Sequence, residues 1–228
     1  MWNGKKKAVT FSYDDGVAQD IRLAEIFNRN GLKCTFNINS GTMGGDSQWK
    51  KNNVMIRRMT PEECKKTYQG HEVAVHALTH PHLENLPREE IEKEIAQDKK
   101  NLESIFGCEI HGMAYPFGTY NDEVLSVLRE NNIRYARTVA CTGGFDIPEN
   151  FLTLPATCKH TDETLMELAR RFVALQPEEP QLFYVWGHSY EFDTDDNWEV
   201  IEELCRVIGG HDDIFYGTNH EVLSPFYR

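Results

Sequence analysis

Positive charge is scarce in this chain. Lys and Arg total 24 against 36 Asp and Glu, a formal net charge of -12. Nucleic acid and anionic membrane surfaces both need a basic face, so neither is an expected partner. An acidic protein suits neutral or cationic ligands and its field favours a metal cation, although solubility alone accounts for such a balance. Long apolar runs are missing as well. Nothing approaches the ~20 residues of a membrane span, and the opening MWNGKKKAVTFSYDDG lacks the apolar stretch of a signal peptide. A cytoplasmic location is expected if Met1 is the natural start; a trimmed chain fits export with a removed signal equally well. The 6 cysteines are scattered, with no C-x-x-C pair, which excludes zinc-finger and thioredoxin motifs. Buried free thiols are the expected outcome for several of them. No fixed-period repeat and no low-complexity tract interrupts the chain. Its 228 residues, 40% hydrophobic and 26% charged, fit one globular domain spanning 1–228.

What is present is an alternation of short apolar runs with amphipathic stretches. Strands are expected at 8–13, 33–38, 72–76, 112–115, 135–139, 152–154, 182–186 and 214–217, each rich in Val, Ile, Phe, Tyr or Thr. Helices are expected at 18–30, ending at Gly31, and at 87–106, ending at Gly107, with others at 122–131, 162–175 and 197–208. Thr60-Pro61-Glu62-Glu63 reads as an N-cap, a first-turn proline and an acidic first turn. Such repeated alternation predicts parallel strands joined by crossover helices. A closed barrel of about seven strands is the natural solution, and an open doubly wound sheet is the alternative. The polar, glycine-containing segment 41–53, with Trp49 inside it, reads as a long loop placed to act as a lid.

Three features fall at the C-terminal ends of expected strands, where parallel α/β folds build their sites. The first is Ser12-Tyr13-Asp14-Asp15-Gly16. Neighbouring strand residues point opposite ways, so Asp14 and Asp15 can do different jobs, one binding a cation and the other acting as a base. The bland alternative is a strand-ending turn with Asp as a helix cap. The second is His76-Ala77-Leu78-Thr79-His80. Imidazoles at i and i+4 share a face of a helical turn and can grip one cation. His71 and His82 lie nearby but read as surface or loop residues. The third is Trp186-Gly187-His188-Ser189-Tyr190. His188 titrates near neutrality and can donate a proton, while Trp186 and Tyr190 offer aromatic faces of the kind that hold sugar rings.

Together these features resemble the polysaccharide deacetylase family, the carbohydrate esterases that include chitin and peptidoglycan deacetylases. The run from Thr10 to Gly16 looks like that family's first motif, and His76 to Pro81 like its second. Ala114-Tyr115-Pro116-Phe117-Gly118 resembles the third, and His188 after an apolar strand resembles the last. The order holds over roughly residues 8 to 190. The resemblance implies a distorted (β/α) barrel that removes N- or O-acetyl groups from an acetylated sugar or oligosaccharide. It implies Asp15, His76 and His80 as ligands of one divalent cation, Zn2+ first, with Co2+, Ni2+ or Mn2+ as alternatives. It makes Asp14 the base, His188 the acid and the Phe117 N–H an oxyanion donor, with Tyr115, Trp186 and Tyr190 near the substrate. Two departures stand out. Ala114 replaces the arginine that often begins the third motif, and Arg137 is the expected substitute. The family's Asp-x-x-Asp-Trp-like fourth motif is missing. Two alternative functions share these residues: an amidase acting on small or cyclic amides, and a non-catalytic glycan-binding relative.

Overall fold

Closure of the sheet turns on a single residue. The computed structural model describes residues 1–44 and 47–227. Its strands are β1 (Lys7–Asp14), β2 (Thr35–Ile38), β3 (Gln48–Lys51), β4 (Val54–Arg57), β5 (Glu72–Val75), β6 (Gly112–Ala114), β7 (Tyr135–Cys141), β8 (Leu154–Ala156), β9 (Cys158–Lys159), β10 (Gln181–Gly187) and β11 (Ile214–Tyr216). The helices are α1 (Asp20–Arg29), α2 (Pro61–Thr67), α3 (Arg88–Phe106), α4 (Asp122–Glu130), α5 (Leu165–Ala174), α6 (Tyr190–Thr194), α7 (Trp198–Ile208) and α8 (Asn219–Leu223). All strands but β3 and β4 share one sheet, ordered β8-β7-β6-β5-β2-β1-β10-β9, with β11 beside β1. Only Thr157 separates β8 from β9. One extended stretch therefore pairs in parallel with β7 at its start and with β10 at its end. That joins the two edges into a barrel of seven staves, the closed alternative expected from the alternation. The barrel is distorted: the β7–β8 register shifts between Arg137 and Cys141, and β11 pairs only with Lys7, Ala8 and Val9 of β1.

Most expected elements form within a residue or two of their sequence limits. Thr60 caps α2 through a reciprocal capping box with Glu63, and Gly107 ends α3 in the left-handed conformation, with φ 68°. Two expectations fail. Residues 151 to 153 form a 3-10 turn and β8 begins only at Leu154, so the strand expected at 152–154 lies two residues later. The segment 41–53 is not a plain loop, because part of it pairs as the β3–β4 hairpin, while residues 45 and 46 of it lie outside the described residues. Asn52 and Asn53 connect the two strands with φ 46° and 65°. Such a two-residue turn with both centres left-handed matches the twist of a hairpin, and asparagine tolerates it better than most residues. Four cysteines (Cys34, Cys64, Cys158, Cys205) are buried free thiols, and Cys108 and Cys141 are exposed.

Strand alternation divides the side chains into two layers. On β1, Val9, Phe11 and Tyr13 face the helices and join the main apolar core, which also holds Phe36, Ile95, Val127, Phe172 and Leu204. Ala8 belongs instead to the inner cluster with Tyr135, Leu154, Tyr184 and Trp186. The same inner face carries Thr10, Ser12 and Asp14. Asn219 of α8 reaches into this layer, accepting from Thr10 Oγ1 at 2.9 Å and donating to the Tyr184 hydroxyl at 2.8 Å. The lumen is thus packed, with a small residue where a large one needs room. A Cβ at Gly112 would lie 1.8 Å from the Tyr135 ring. Gly112→Ala is expected to destabilise by about 1–3 kcal/mol through overpacking, lowering the thermal midpoint by roughly 2–12 °C. Thermal denaturation followed by circular dichroism checks this.

Candidate active site and metal centre

At the C-terminal ends of β1 and β5 the chain turns sharply. Asp15 (φ 83°), Ala77 (φ 61°), His80 (φ 63°) and Phe117 (φ 58°) are non-glycine residues with left-handed backbones in the loops of this end. Such conformations cost free energy and persist where the surroundings hold them, which is commonly at functional sites. Here the turns aim side chains. Asp14 is the last inward residue of β1, and the turn at Asp15 brings a second carboxylate round towards the β5 loop. Asp15, His76 and His80 each offer a ligand atom, all within 4.8 Å of one another, and they form the one such metal-capable group among the described residues. His80 Nε2 is 3.8 Å from Asp15 Oδ1.

The protonation states suit a cation. His76 Nδ1 donates to the Ala114 carbonyl at 2.7 Å. A carbonyl only accepts, so Nδ1 carries the hydrogen and Nε2 keeps its lone pair. Burial pushes the His76 pKa down to about 4, and burial lowers that of His80 as well. Both rings are neutral at pH 7, as metal ligands must be. The backbone N–H of His76 donates to Asp98 Oδ2 at 3.1 Å, fixing the loop from below. Two imidazoles and a carboxylate fit a catalytic centre that keeps coordination positions open.

Beside this group lies a buried ion pair. Arg137 Nη2 is 2.5 Å from each Asp14 oxygen, and Asn37 Nδ2 donates to Asp14 Oδ1 at 2.8 Å. Burial pushes the Asp14 carboxyl up, but the Arg137 guanidinium, with His76 and His188, outweighs it and holds the pKa below the usual value. Arg137 is fully buried, and its guanidinium carbon stacks 4.6 Å from the Trp186 ring. The arginine expected to replace the one missing at Ala114 thus arrives from β7 and reaches Asp14.

His188 follows directly on β10. Its Nδ1 is 3.3 Å from Glu191 Oε2, which leaves Nε2 as the end that can serve a substrate. Burial opposes the charged imidazole, but Glu191, Asp15 and Asp14 overcome it and raise the pKa. Glu191 is also 3.2 Å from His160 Nε2 and accepts from Lys159 Nζ at 2.7 Å. His160 in turn lies 3.1 Å from the Tyr13 hydroxyl. Neither Glu191 nor His160 stands out in the sequence motifs. The i, i+3 spacing of His188 and Glu191 at the start of a helix is a signal that could have found the glutamate; nothing local marks His160.

The sequence profile of the polysaccharide deacetylases matches residues 2–136, the stretch that holds Asp14, Asp15, His76 and His80. The chain belongs to the polysaccharide deacetylase family. YxkH of Bacillus subtilis (strain 168), provisionally named a polysaccharide deacetylase, is 26% identical over 135 residues, covering 58% of this chain. The match spans only 45% of that relative's length. A family 4 carbohydrate esterase from Streptomyces lividans, solved with acetate, superposes with TM-score 0.59 at 16% identity, over 94% of this chain and 93% of that one. BA3943 of Bacillus anthracis, described as a pseudoenzyme of the same esterase family, gives TM-score 0.58 at 18% identity, over 96% of this chain and 66% of that one. At such identities these structures establish the fold, the distorted (β/α) barrel of the deacetylases.

Two residues expected near the substrate are almost wholly buried. Tyr115 continues the outward alternation of β6. It is buried, stacks on Tyr120 at 5.1 Å and donates its hydroxyl to the Leu152 carbonyl at 2.6 Å, so neither ring nor hydroxyl is free. Trp186 does point inward, but only 6% of it is exposed and its face covers Arg137. Tyr190 is partly open. Its ring meets Trp49 of the β3–β4 hairpin edge-on at 5.8 Å and lies 5.2 Å from the His188 ring. The segment expected as a lid therefore reaches the site as a wall. Phe117 is half exposed, sandwiched by His80 at 4.7 Å and His82 at 3.8 Å. His82, expected as a loop residue, is half exposed and covers Phe117. His71 precedes β5 at the opposite end of the barrel, where its Nδ1 accepts from the Cys34 N–H at 3.1 Å.

Proposed function

We propose that this deacetylase-family chain is a divalent-metal-dependent hydrolase that removes acetyl groups from an acetylated amino sugar or its oligomers. The observation that carries this reading is the convergence of Asp15, His76 and His80 beside a separate carboxylate, Asp14, that stays ionised. Asp15, His76 Nε2 and His80 would hold the cation, with Zn2+ the first choice for such a donor set. When bound, that ion supplies Lewis acidity, polarising the acetyl carbonyl and lowering the pKa of a water towards ~7. Asp14 is placed to take a proton from the attacking water. Its bond to Arg137 keeps it charged and correctly oriented at some cost in basicity. The Phe117 backbone N–H would serve the developing oxyanion, a donor typically worth about 3 kcal/mol. His188, protonated and held by Glu191, delivers a proton to the departing amine.

The acid role predicts an alkaline limit. The raised pKa extends the charged form of His188 to higher pH than an ordinary imidazole, and activity falls as the pH rises through that pKa. Glu191→Gln removes the main partner of the imidazolium and should move the alkaline limb to lower pH. A pH profile of kcat that ends at the same point in wild type and variant would remove Glu191 from this role. The whole reading is tested by acetate release from N-acetylglucosamine oligomers, set beside simple amides, with metal-loaded and chelator-stripped protein. No release from any acetylated sugar would end it. BA3943 carries the name of a pseudoenzyme, and a mutant of it is described as having restored activity. In this chain the proposed base, acid and three ligands are all present, which supports catalysis over glycan binding alone.

A further inference from the structure

Asp15 and the His76–His80 pair sit on separate loops, one after β1 and one after β5, and β2 lies between those strands. Something must set the distance between the loops. We propose that Arg58 and Asn39 form a clamp that presets this distance before a cation arrives. The inference rests on the reading of this centre as a metal site.

The clamp is a continuous chain of hydrogen bonds. Arg58 Nη1 donates to the Asp15 carbonyl at 2.7 Å and to Asn39 Oδ1 at 2.6 Å. Asn39 Nδ2 donates to the carbonyls of His76 and, at 2.8 Å, of Ala77. The Asn39 amide is thereby fully committed, its oxygen to Arg58 and its two hydrogens to the loop after β5. Both residues are well covered: Asn39 is 1% exposed and the Arg58 side chain 10%. The bonds fall on backbone carbonyls, and Asp15 and Ala77 are two of the left-handed residues that need support. The carboxylate is held as well, since Arg58 Nη2 donates to Asp15 Oδ1 at 3.3 Å. The hairpin holds the guanidinium in place. Arg58 follows β4, bridges to Val17 and lies 5.5 Å from the Trp49 ring.

A clamp and a competing cation predict opposite signs. If Arg58 were chiefly a positive charge beside Asp15, removing it would tighten metal binding. If it positions the loops, removing it weakens binding. The full chain and its variants are titrated with Zn2+ against a chromophoric chelator, and Co2+ absorption reports the geometry of the centre. Arg58→Gln and Asn39→Ala are each expected to raise the Zn2+ Kd by roughly 10–100-fold and to alter the Co2+ bands. The double variant should be little worse than the poorer single one, because the two residues act as one unit. Arg58→Lys keeps the charge and the stem but cannot bridge the two acceptors in the same way. It too should weaken binding, and it tests the proposal if Arg58→Gln does not fold. Unchanged or tighter Zn2+ binding in folded Arg58→Gln or Arg58→Lys overturns the clamp alone. A wild-type chain that binds no Zn2+ and no Co2+ overturns the metal reading and the clamp together.

Discussion

Asp14→Asn is expected to cut turnover by roughly 10²–10⁴-fold, the usual contribution of a positioned base, while metal content stays at the wild-type level. Asparagine keeps the shape of the side chain and an oxygen for Arg137, so Asp15 and the two histidines have no reason to move. Initial rates of acetate release, paired with elemental analysis, separate the two effects. Wild-type turnover in this variant would remove the base assignment. Stability should fall as well. Arg137 is fully buried, and leaving a buried charge without its counter-ion costs about 3–5 kcal/mol. The retained amide oxygen makes the loss smaller than that. The sign with pH is fixed by the lowered Asp14 pKa. A carboxylate held below its unfolded pKa stabilises the fold above that unfolded value, and the contribution disappears as pH falls through the folded pKa. Urea midpoints of wild type and Asp14→Asn should therefore differ at pH 7 and converge in acid. Arg137→Ala attacks the pair from its other side and should lower both turnover and the midpoint.

The second large effect belongs to the ligands. Asp15→Ala, His76→Ala and His80→Ala are each expected to lose metal and activity together. Losing a group that merely orients a ligand already costs 10–100-fold in affinity, so loss of a ligand should exceed about 100-fold. The three should differ in stability. His76 is 2% exposed and its ring bonds the Ala114 carbonyl, so removing it leaves a cavity and an unpaired acceptor. The His80 side chain is 22% exposed, and its loss should leave the unfolding midpoint of the metal-free protein nearly unchanged. His80→Ala is therefore the decisive variant. A folded His80→Ala that retains Zn2+ at wild-type affinity would refute the proposed ligand set.

Local rules account for what is legible in the residues alone. Periodicity places most strands and helices, because a buried strand or an amphipathic helix announces itself within ten residues or so. Asp14, Asp15, His76, His80 and His188 stand out because chemistry-bearing residues end apolar strands. The β3–β4 hairpin escapes because its Asn52-Asn53 turn lies in a polar stretch that also reads as loop. Tyr115 enters the expected substrate contacts because a motif names neighbours without saying which way each one faces. Alternation along β6 sends it out to the helices, whereas Ala114 faces in.

Short-range pattern was enough to specify the alternating architecture and the strand ends where reactive side chains gather. Burial periodicity and backbone preference operate over a few residues, and a linear chain displays both. Long-range packing had to settle the rest: that Thr157 closes the barrel, that Arg137 crosses 123 positions to pair with Asp14, that Glu191 comes within 3.2 Å of His160, and that Arg58 joins two loops through Asn39. Each of these joins elements that are remote along the chain. The partner of a buried charge is whichever group the packing brings within hydrogen-bonding distance, and no local pattern records that distance.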